Sequence, residues 1–329
     1  MRMLDFVLLR RCALALFAAL LGAQPNVASA QDYPNRPIRF IVPFTPGAGA
    51  DTVARLLAQH LFPLLGQPIV VENRGGASGM IGTDIAAKAP PDGYTWVFGH
   101  DPAFTINPHL RKMPYDALRD FAPVSLLTRV PLVLVANPSL GLTDLAGLIA
   151  LAQKNPGKLT IASSGNGTSG HLAAEVLMSA TQIKLLHVPY KGQAEAVTDT
   201  VSGRTDLNFS AISNILSLAQ SAKLTVIANG SSKRFSGLPT VMTVTESGFA
   251  GFDVSAWHGL LMPIEVSTDV IQKVNSLVNL VLQNPEVANK LSSLGLYPIG
   301  GSPDVLAQLL KTDSERWANV IREANIRED

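Results

Sequence analysis

A single cysteine among 329 residues, at position 12, leaves nothing from which to build a disulfide framework, a thiol nucleophile or a cysteine metal site. Charge is scarce as well. Asp, Glu, Lys and Arg make up only 16% of the chain, balanced at 25 acidic against 26 basic residues, and no run of like sign occurs. The electrostatic footprint of a nucleic-acid binder is therefore missing. The six histidines are scattered without H-x-x-x-H or H-E-x-x-H spacing, and no G-x-S-x-G elbow is present. Neither a metal centre nor an ordinary hydrolase is expected, and no cofactor is implied. What is abundant is apolar: 47% of residues are hydrophobic, alongside 26 Gly and 22 Pro. That excludes a disordered or collagen-like chain and leaves enough material for two compact lobes without stapling.

Residues 1–30 differ from the rest. Arg2, Arg10 and Arg11 precede the apolar run Cys12–Gly22, and Ala28-Ser29-Ala30 comes before Gln31. This is the pattern of a cleavable secretory signal peptide. The run is well short of the roughly 20 residues that span a bilayer. Its removal takes away the cysteine and leaves a chain close to neutral. No second stretch is long and apolar enough to insert into a membrane, so a soluble, exported product is expected, in a periplasm. Dependence on nicotinamide or ATP fits such a compartment poorly.

Beyond Gln31, short β-branched runs alternate with helical patterns. Strands are predicted at Ile38–Val42, Pro68–Glu72, Tyr94–Phe98, Leu132–Ala136, Leu159–Ser163, Leu185–Val188, Asp206–Phe209 and Leu224–Ala228. Amphipathic helices are predicted between them, at Asp51–Leu65, Leu142–Gln153, His171–Ala180, Ala194–Ser202 and Ile212–Gln220, with a helical tail over Asp269–Leu282, Glu286–Leu294 and Pro303–Ala324. The order β-α-β-α predicts an α/β protein with parallel sheets. The strands fall into two sets. Phe121–Leu127 and Val254–Leu261 are placed to run between lobes, so the expected division is a discontinuous first lobe, 31–130 plus 254–329, and a second lobe, 131–253, with the ligand site in the cleft.

In α/β sheets ligands sit beyond the carboxyl ends of strands, which directs attention to three loops. Phe44-Thr45-Pro46-Gly47-Ala48-Gly49-Ala50-Asp51 leads from the first strand into a helix, and small residues there allow a ligand close to unpaired backbone N–H groups. A second loop, Ser164-Gly165-Asn166-Gly167-Thr168-Ser169-Gly170, matches G-x-G-x-x-G. The next strand ends in Tyr190-Lys191-Gly192 with no acid for a ribose, so an anion-binding loop fits better than a dinucleotide site. Tyr190 and Lys191 are placed to complete a carboxylate pocket, although a solvated lysine and a packing tyrosine are the commoner outcome. The third loop holds His100 and Asp101, with Asn107 a few residues on, and reads as a polar cleft wall.

Taken together, these segments resemble the extracytoplasmic solute receptors of tripartite tricarboxylate transporters, the Bug family. The resemblance runs along nearly the whole chain after the signal. It is carried by Tyr33-Pro34-Asn35-Arg36-Pro37-Ile38, Val42-Pro43-Phe44-Thr45-Pro46-Gly47, Gly66-Gln67-Pro68, Val71-Glu72-Asn73-Arg74, Pro91-Asp92-Gly93-Tyr94, Asn155-Pro156-Gly157-Lys158, Ser164–Thr168 and His187-Val188-Pro189-Tyr190-Lys191-Gly192. It implies a type II periplasmic binding-protein fold, two α/β lobes closing on a small carboxylate that is passed to the membrane components of a tripartite transporter by a monomeric, non-catalytic receptor. It implies ligand contacts from the loops matching Phe44–Asp51 and Ser164–Thr168, and with the strand-end residues the candidate ligand set is Phe44, Pro46, Gly47, Ala48, Gly49, Ala50, Asp51, His100, Asp101, Ser164, Gly165, Asn166, Gly167, Thr168, Tyr190, Lys191, Gly192, Asp206 and Ser210. The chain departs from the family pattern at Ala48, Ala50, His100-Asp101-Pro102 and Asn208–Ala211, so citrate is not the assumed ligand. An ionised Asp101 facing the cleft would disfavour a second carboxylate and suit an ammonium or hydroxyl. Two other roles stay open at this level: delivery of the ligand signal to a membrane sensor kinase, or a periplasmic hydrolase in which Ser163, Ser164 or Asp101 converges with His100 or His171.

Overall fold

The computed structural model describes residues 33–47 and 49–326; the signal-peptide assignment, Cys12 and the site candidate Ala48 lie outside them. The strand β1 (Ile38–Val42) forms because its apolar residues bury both faces, with only Arg39 exposed, where it makes a bidentate pair with Glu72. On either side lie β2 (Ile69–Asn73) and β3 (Thr95–His100), both parallel to it. The helix α1 (Gly49–Leu65) connects β1 to β2, and α2 (Met80–Ala87) connects β2 to β3. The sheet is completed by β4 (Phe121–Val130), β10 (Ala256–Pro263) and the short β11 (Tyr297–Pro298), in the order β11-β4-β10-β3-β1-β2.

A second sheet holds β5 (Leu132–Ala136), β6 (Thr160–Ser163), β7 (Leu186–Pro189), β8 (Leu207–Ala211) and β9 (Thr225–Asn229), in the order β7-β6-β8-β5-β9. Its helices are α3 (Leu145–Lys154), α4 (Ser169–Thr181), α5 (Gln193–Ser202) and α6 (Ile212–Gln220). Asp144 caps α3 by accepting the Gly147 N–H at 2.8 Å. The tail is α7 (Thr268–Gln283), α8 (Pro285–Ser293) and α9 (Pro303–Glu323). Every predicted strand and helix is present within a few residues of its expected ends, whereas α2 and β11 were not anticipated.

Both sheets are mixed, which corrects the expectation of parallel ones. The chain leaves the first sheet through β4 and comes back through β10, and β10 is antiparallel to both β3 and β4, with His258 opposite His100 and Trp257 opposite Arg129. In the second sheet β5 enters antiparallel to β8 and β9. The strands that carry the candidate loops stay parallel within each sheet. β1, β2 and β3 therefore end at one edge of the first, and β6, β7 and β8 at one edge of the second.

Both sheets belong to one compact unit, Arg36–Asp329. The long helix α9 serves them together: Leu306 and Leu310 pack into the core around Ile41, Val97, Phe104 and Trp257, while Trp317 and Ile321 join Leu134, Leu172 and Phe209. Between these apolar stretches Asp313, nearly buried, accepts hydrogen bonds from Thr105 and from the Trp257 indole, each at 2.9 Å. A buried carboxylate fully engaged in this way fixes the helix against β10 and the turn after β3.

Candidate functional site

The loop after β1 is held by its own acid. Asp51, 4% exposed, accepts the Gly47 N–H at 2.9 Å, the Arg55 guanidinium at 3.0 Å and the Asn73 amide at 3.0 Å. Asn73 also donates to the Phe44 carbonyl, tying β2 to the same loop. Burial opposes ionisation of Asp51, but these donors outweigh it and hold the carboxyl below the usual range. Asp51 is thus the staple of the loop. Pro46, Gly47 and Gly49 stay exposed, with open space in front of both glycines, and Ala50 is buried in α1.

Against this loop lies a segment that sequence reasoning passed over, Gly75–Gly79, between β2 and α2. Its one signal was the doubled glycine after Asn73-Arg74. Gly79, at φ +88°, must be glycine: a Cβ there would fall on the His100 ring. His100 is 3% exposed and lies 4.5 Å from the Phe44 ring. Burial, with His258 nearby, lowers its pKa to about 3, so the imidazole is neutral, and its Nε2 has no partner.

The loop after β6 is held by hydroxyls and two histidines rather than by an acid. Ser163 Oγ lies 2.7 Å from His187 Nε2 and takes the Gly165 N–H, while the Thr168 hydroxyl donates to the Gly165 carbonyl at 2.8 Å. The His171 ring stacks on His187 at 4.0 Å and its Nδ1 accepts the Gly167 N–H. Burial, together with His171, lowers His187 to about 4. Gly170 places α4 against β8, since a Cβ would sit 2.5 Å from the Phe209 carbonyl oxygen. Ser164 and Asn166 are half-buried. Ser163 pairs with His187 rather than with His171 or His100.

One contact joins the two loop systems. Asp101, at the end of β3 and 3% exposed, accepts the Ser169 hydroxyl at 2.5 Å, at the first residue of α4. Burial raises this carboxyl to about 7, with Asp313 adding to the rise while Ser169 and Arg129 oppose it. Nearby, the buried Asn107 has neither amide atom partnered and its Oδ1 borders Gly167. Asn107 was noted in the sequence, whereas Ser169 was given no role of its own.

Other expected site residues are placed differently. The Tyr190 hydroxyl donates to Asp199 at 2.8 Å, and it is the Tyr190 backbone that abuts Gly165. Lys191 is exposed and Gly192 caps α5. Ser210 accepts from Gln193, which also donates to Asn208, whose own Nδ2 is buried without a partner. Asp206 is a correction: it begins β8, and its carboxylate accepts the Thr160 N–H and hydroxyl at 2.7 and 2.8 Å. Because β8 runs parallel to β6, that pair lies at the end of the sheet opposite the loops. A groove of about 630 Å³ on the outside of the second sheet, lined by Val176, Met178, Ile183, Leu186 and Val320, is also away from these loops.

Two sheets ending in facing small-residue loops define a solute-binding architecture, and comparison with known proteins agrees. Residues 53–326 match the model of the tripartite tricarboxylate transporter family receptor, and the chain belongs to that family. Protein BugT of Bordetella pertussis is 36% identical over 315 residues, covering 94% of this chain and 95% of that protein. Among solved structures, Rpa4515 of R. palustris with adipate is similar at a TM-score of 0.83 and 33% identity, over 90% of this chain and 99% of that one. MatC of Rhodopseudomonas palustris with bound malate follows at a TM-score of 0.78 and 31% identity, over 88% and 100%. Among the described residues no helix is long and apolar enough to cross a membrane.

Proposed function

We propose that this protein is a periplasmic receptor that captures a small carboxylate between its two lobes, 31–130 with 254–329 and 131–253, and delivers it to the membrane components of a tripartite tricarboxylate-type transporter. It acts as a monomer and carries out no chemistry on the ligand. The observation that carries this reading is the meeting of the loop after β3 with the loop after β6 at Asp101 and Ser169, beside the start of α4, where no side chain caps the backbone N–H groups. Those groups suit an anion, and the relatives crystallised with adipate and malate hold acids of this class. The ligand groups are the open glycines Gly47 and Gly49, the ring edges of Phe44 and His100, and the Ser164–Thr168 segment. Binding to the folded state alone adds about 2.7 kcal/mol at a hundredfold excess over Kd, a rise of a few degrees in Tm for a chain of this size. Thermal unfolding against mono-, di- and tricarboxylates, amino acids and aromatic acids tests it: a rise with one acid class is expected, and no rise with any acid rejects the reading.

A further inference from the structure

We propose that Asp101 determines the specificity of the cleft: by setting the protein's own carboxyl group on Ser169 at the start of α4, it favours acids with one carboxylate and a hydrogen-bond donor at the Asp101 end over dicarboxylates of the same length. This rests on the carboxylate-receptor reading above and refines it.

The argument begins with the end of α4. Its N-cap residue, Thr168, turns its hydroxyl to the Gly165 carbonyl, so no side chain of the loop caps the helix. The position where a ligand anion would gain most from the helix dipole is instead taken by an acid arriving from the other sheet, bonded to Ser169 at 2.5 Å. Two carboxylates at one helix end repel each other in a poorly solvated site. A hydroxyl or ammonium there does the opposite, donating to the Asp101 carboxylate. The buried Asn107 matches such a head: both its amide atoms lack partners, its Oδ1 borders Gly167, and together they supply a donor and an acceptor without added charge. The charges around Asp101 are mixed. Asp313 of α9 raises its proton affinity, Arg129 of β4 and the Ser169 hydroxyl lower it, and Arg111 borders Gly167 in the facing loop.

A proton taken up by Asp101 relieves the repulsion, so a diacid enters only with that proton while the hydroxy acid needs none. The diacid affinity accordingly falls as pH rises above about 7, and that of the hydroxy acid stays level.

Calorimetric titration of the protein with the straight-chain diacids from succinate to suberate, each beside the ω-hydroxy monoacid of the same length, tests this at pH values on both sides of neutrality. Above neutrality the wild type is expected to bind the best hydroxy acid about tenfold or more tightly than its diacid, a difference of about 1.4 kcal/mol. Asp101→Asn, which keeps the Ser169 contact without the charge, is expected to erase that ratio and flatten the pH dependence. Asp101→Ser reads the same way if the first variant does not fold. Equal or tighter diacid binding by the wild type, or a ratio that Asp101→Asn leaves unchanged within about twofold, overturns the proposal while the receptor reading stands. Absence of binding by any acid of the set, to either protein, overturns the proposal, and the receptor reading falls with it only if the wider acid panel above also gives no rise in Tm.

Discussion

The loops after β1 and β6 solve one problem with opposite electrostatics. Each holds a run of small residues in place by engaging some of its own backbone N–H groups, Gly47 in the first and Gly165 and Gly167 in the second. The first does so with an ionised acid, Asp51, ringed by Gly47, Arg55 and Asn73. The second uses a stacked histidine pair, His171 on His187, with Ser163 and Thr168. An acid staple inside the first loop leaves that loop carrying negative charge, offset by Arg55. The second loop adds no charge of its own and receives one from across the cleft, through Asp101. The comparison teaches that loop shape is conveyed by sequence-local staples, while charge at the site is set by which residues the fold brings opposite each other.

The largest effect is expected from removing the acid staple. Asp51→Ala leaves the Gly47 N–H, the Asn73 amide and a buried cavity uncompensated, and is expected to cost about 2–3 kcal/mol in urea unfolding. Asp51→Asn, which keeps the shape, should recover part of that. A loss below about 0.5 kcal/mol would show that the first loop holds itself by backbone geometry alone, and the comparison would collapse.

Acid titration sharpens it next. His187 is held at about 4 and His100 at about 3 in the folded chain, both below the ordinary value of 6.5. The unfolded chain therefore binds more protons between those values, and stability falls as pH is lowered from about 6.5 toward 4. Asp51, depressed below its ordinary 3.8, keeps its contribution through that window and loses it only at lower pH. Replacing His187 by Asn should make the slope of unfolding free energy between pH 6.5 and 4 shallower by up to one proton, read by denaturant unfolding at several pH values. An unchanged slope would mean that the second loop is not held by a neutral histidine.

The smallest effect concerns Tyr190. Its hydroxyl is bonded to Asp199 and its ring is not the part against Gly165, so Tyr190→Phe is expected to cost about 0.5–1 kcal/mol and leave ligand affinity within about twofold. A larger loss of affinity would return the phenol to the site.

Much of the architecture was legible because it follows from periodicity. β-branched runs such as Ile38–Val42 and Leu132–Ala136 and the amphipathic helix Ile212–Gln220 read correctly to the residue. The short helix Met80–Ala87 did not, because Gly79 and Gly82, needed for close approach to His100 and Pro43, dilute its pattern. The direction of β5 and β10 was also hidden, since an antiparallel crossing strand has the same composition as a parallel one.

By itself the sequence determined the class of element at almost every point, the three loops of small and polar residues, and membership of a receptor family, because each is a property of contiguous residues. Tertiary structure alone decided which groups meet across the two loop systems. Asp206 and Asp101 are both acids beside strands, yet Asp206 begins its strand and turns to Thr160, while Asp101 ends its strand and crosses to Ser169. The difference lies in strand direction and in the pairing of two sheets some seventy residues apart in the chain, and no local pattern encodes the meeting of Asp101 with the start of α4.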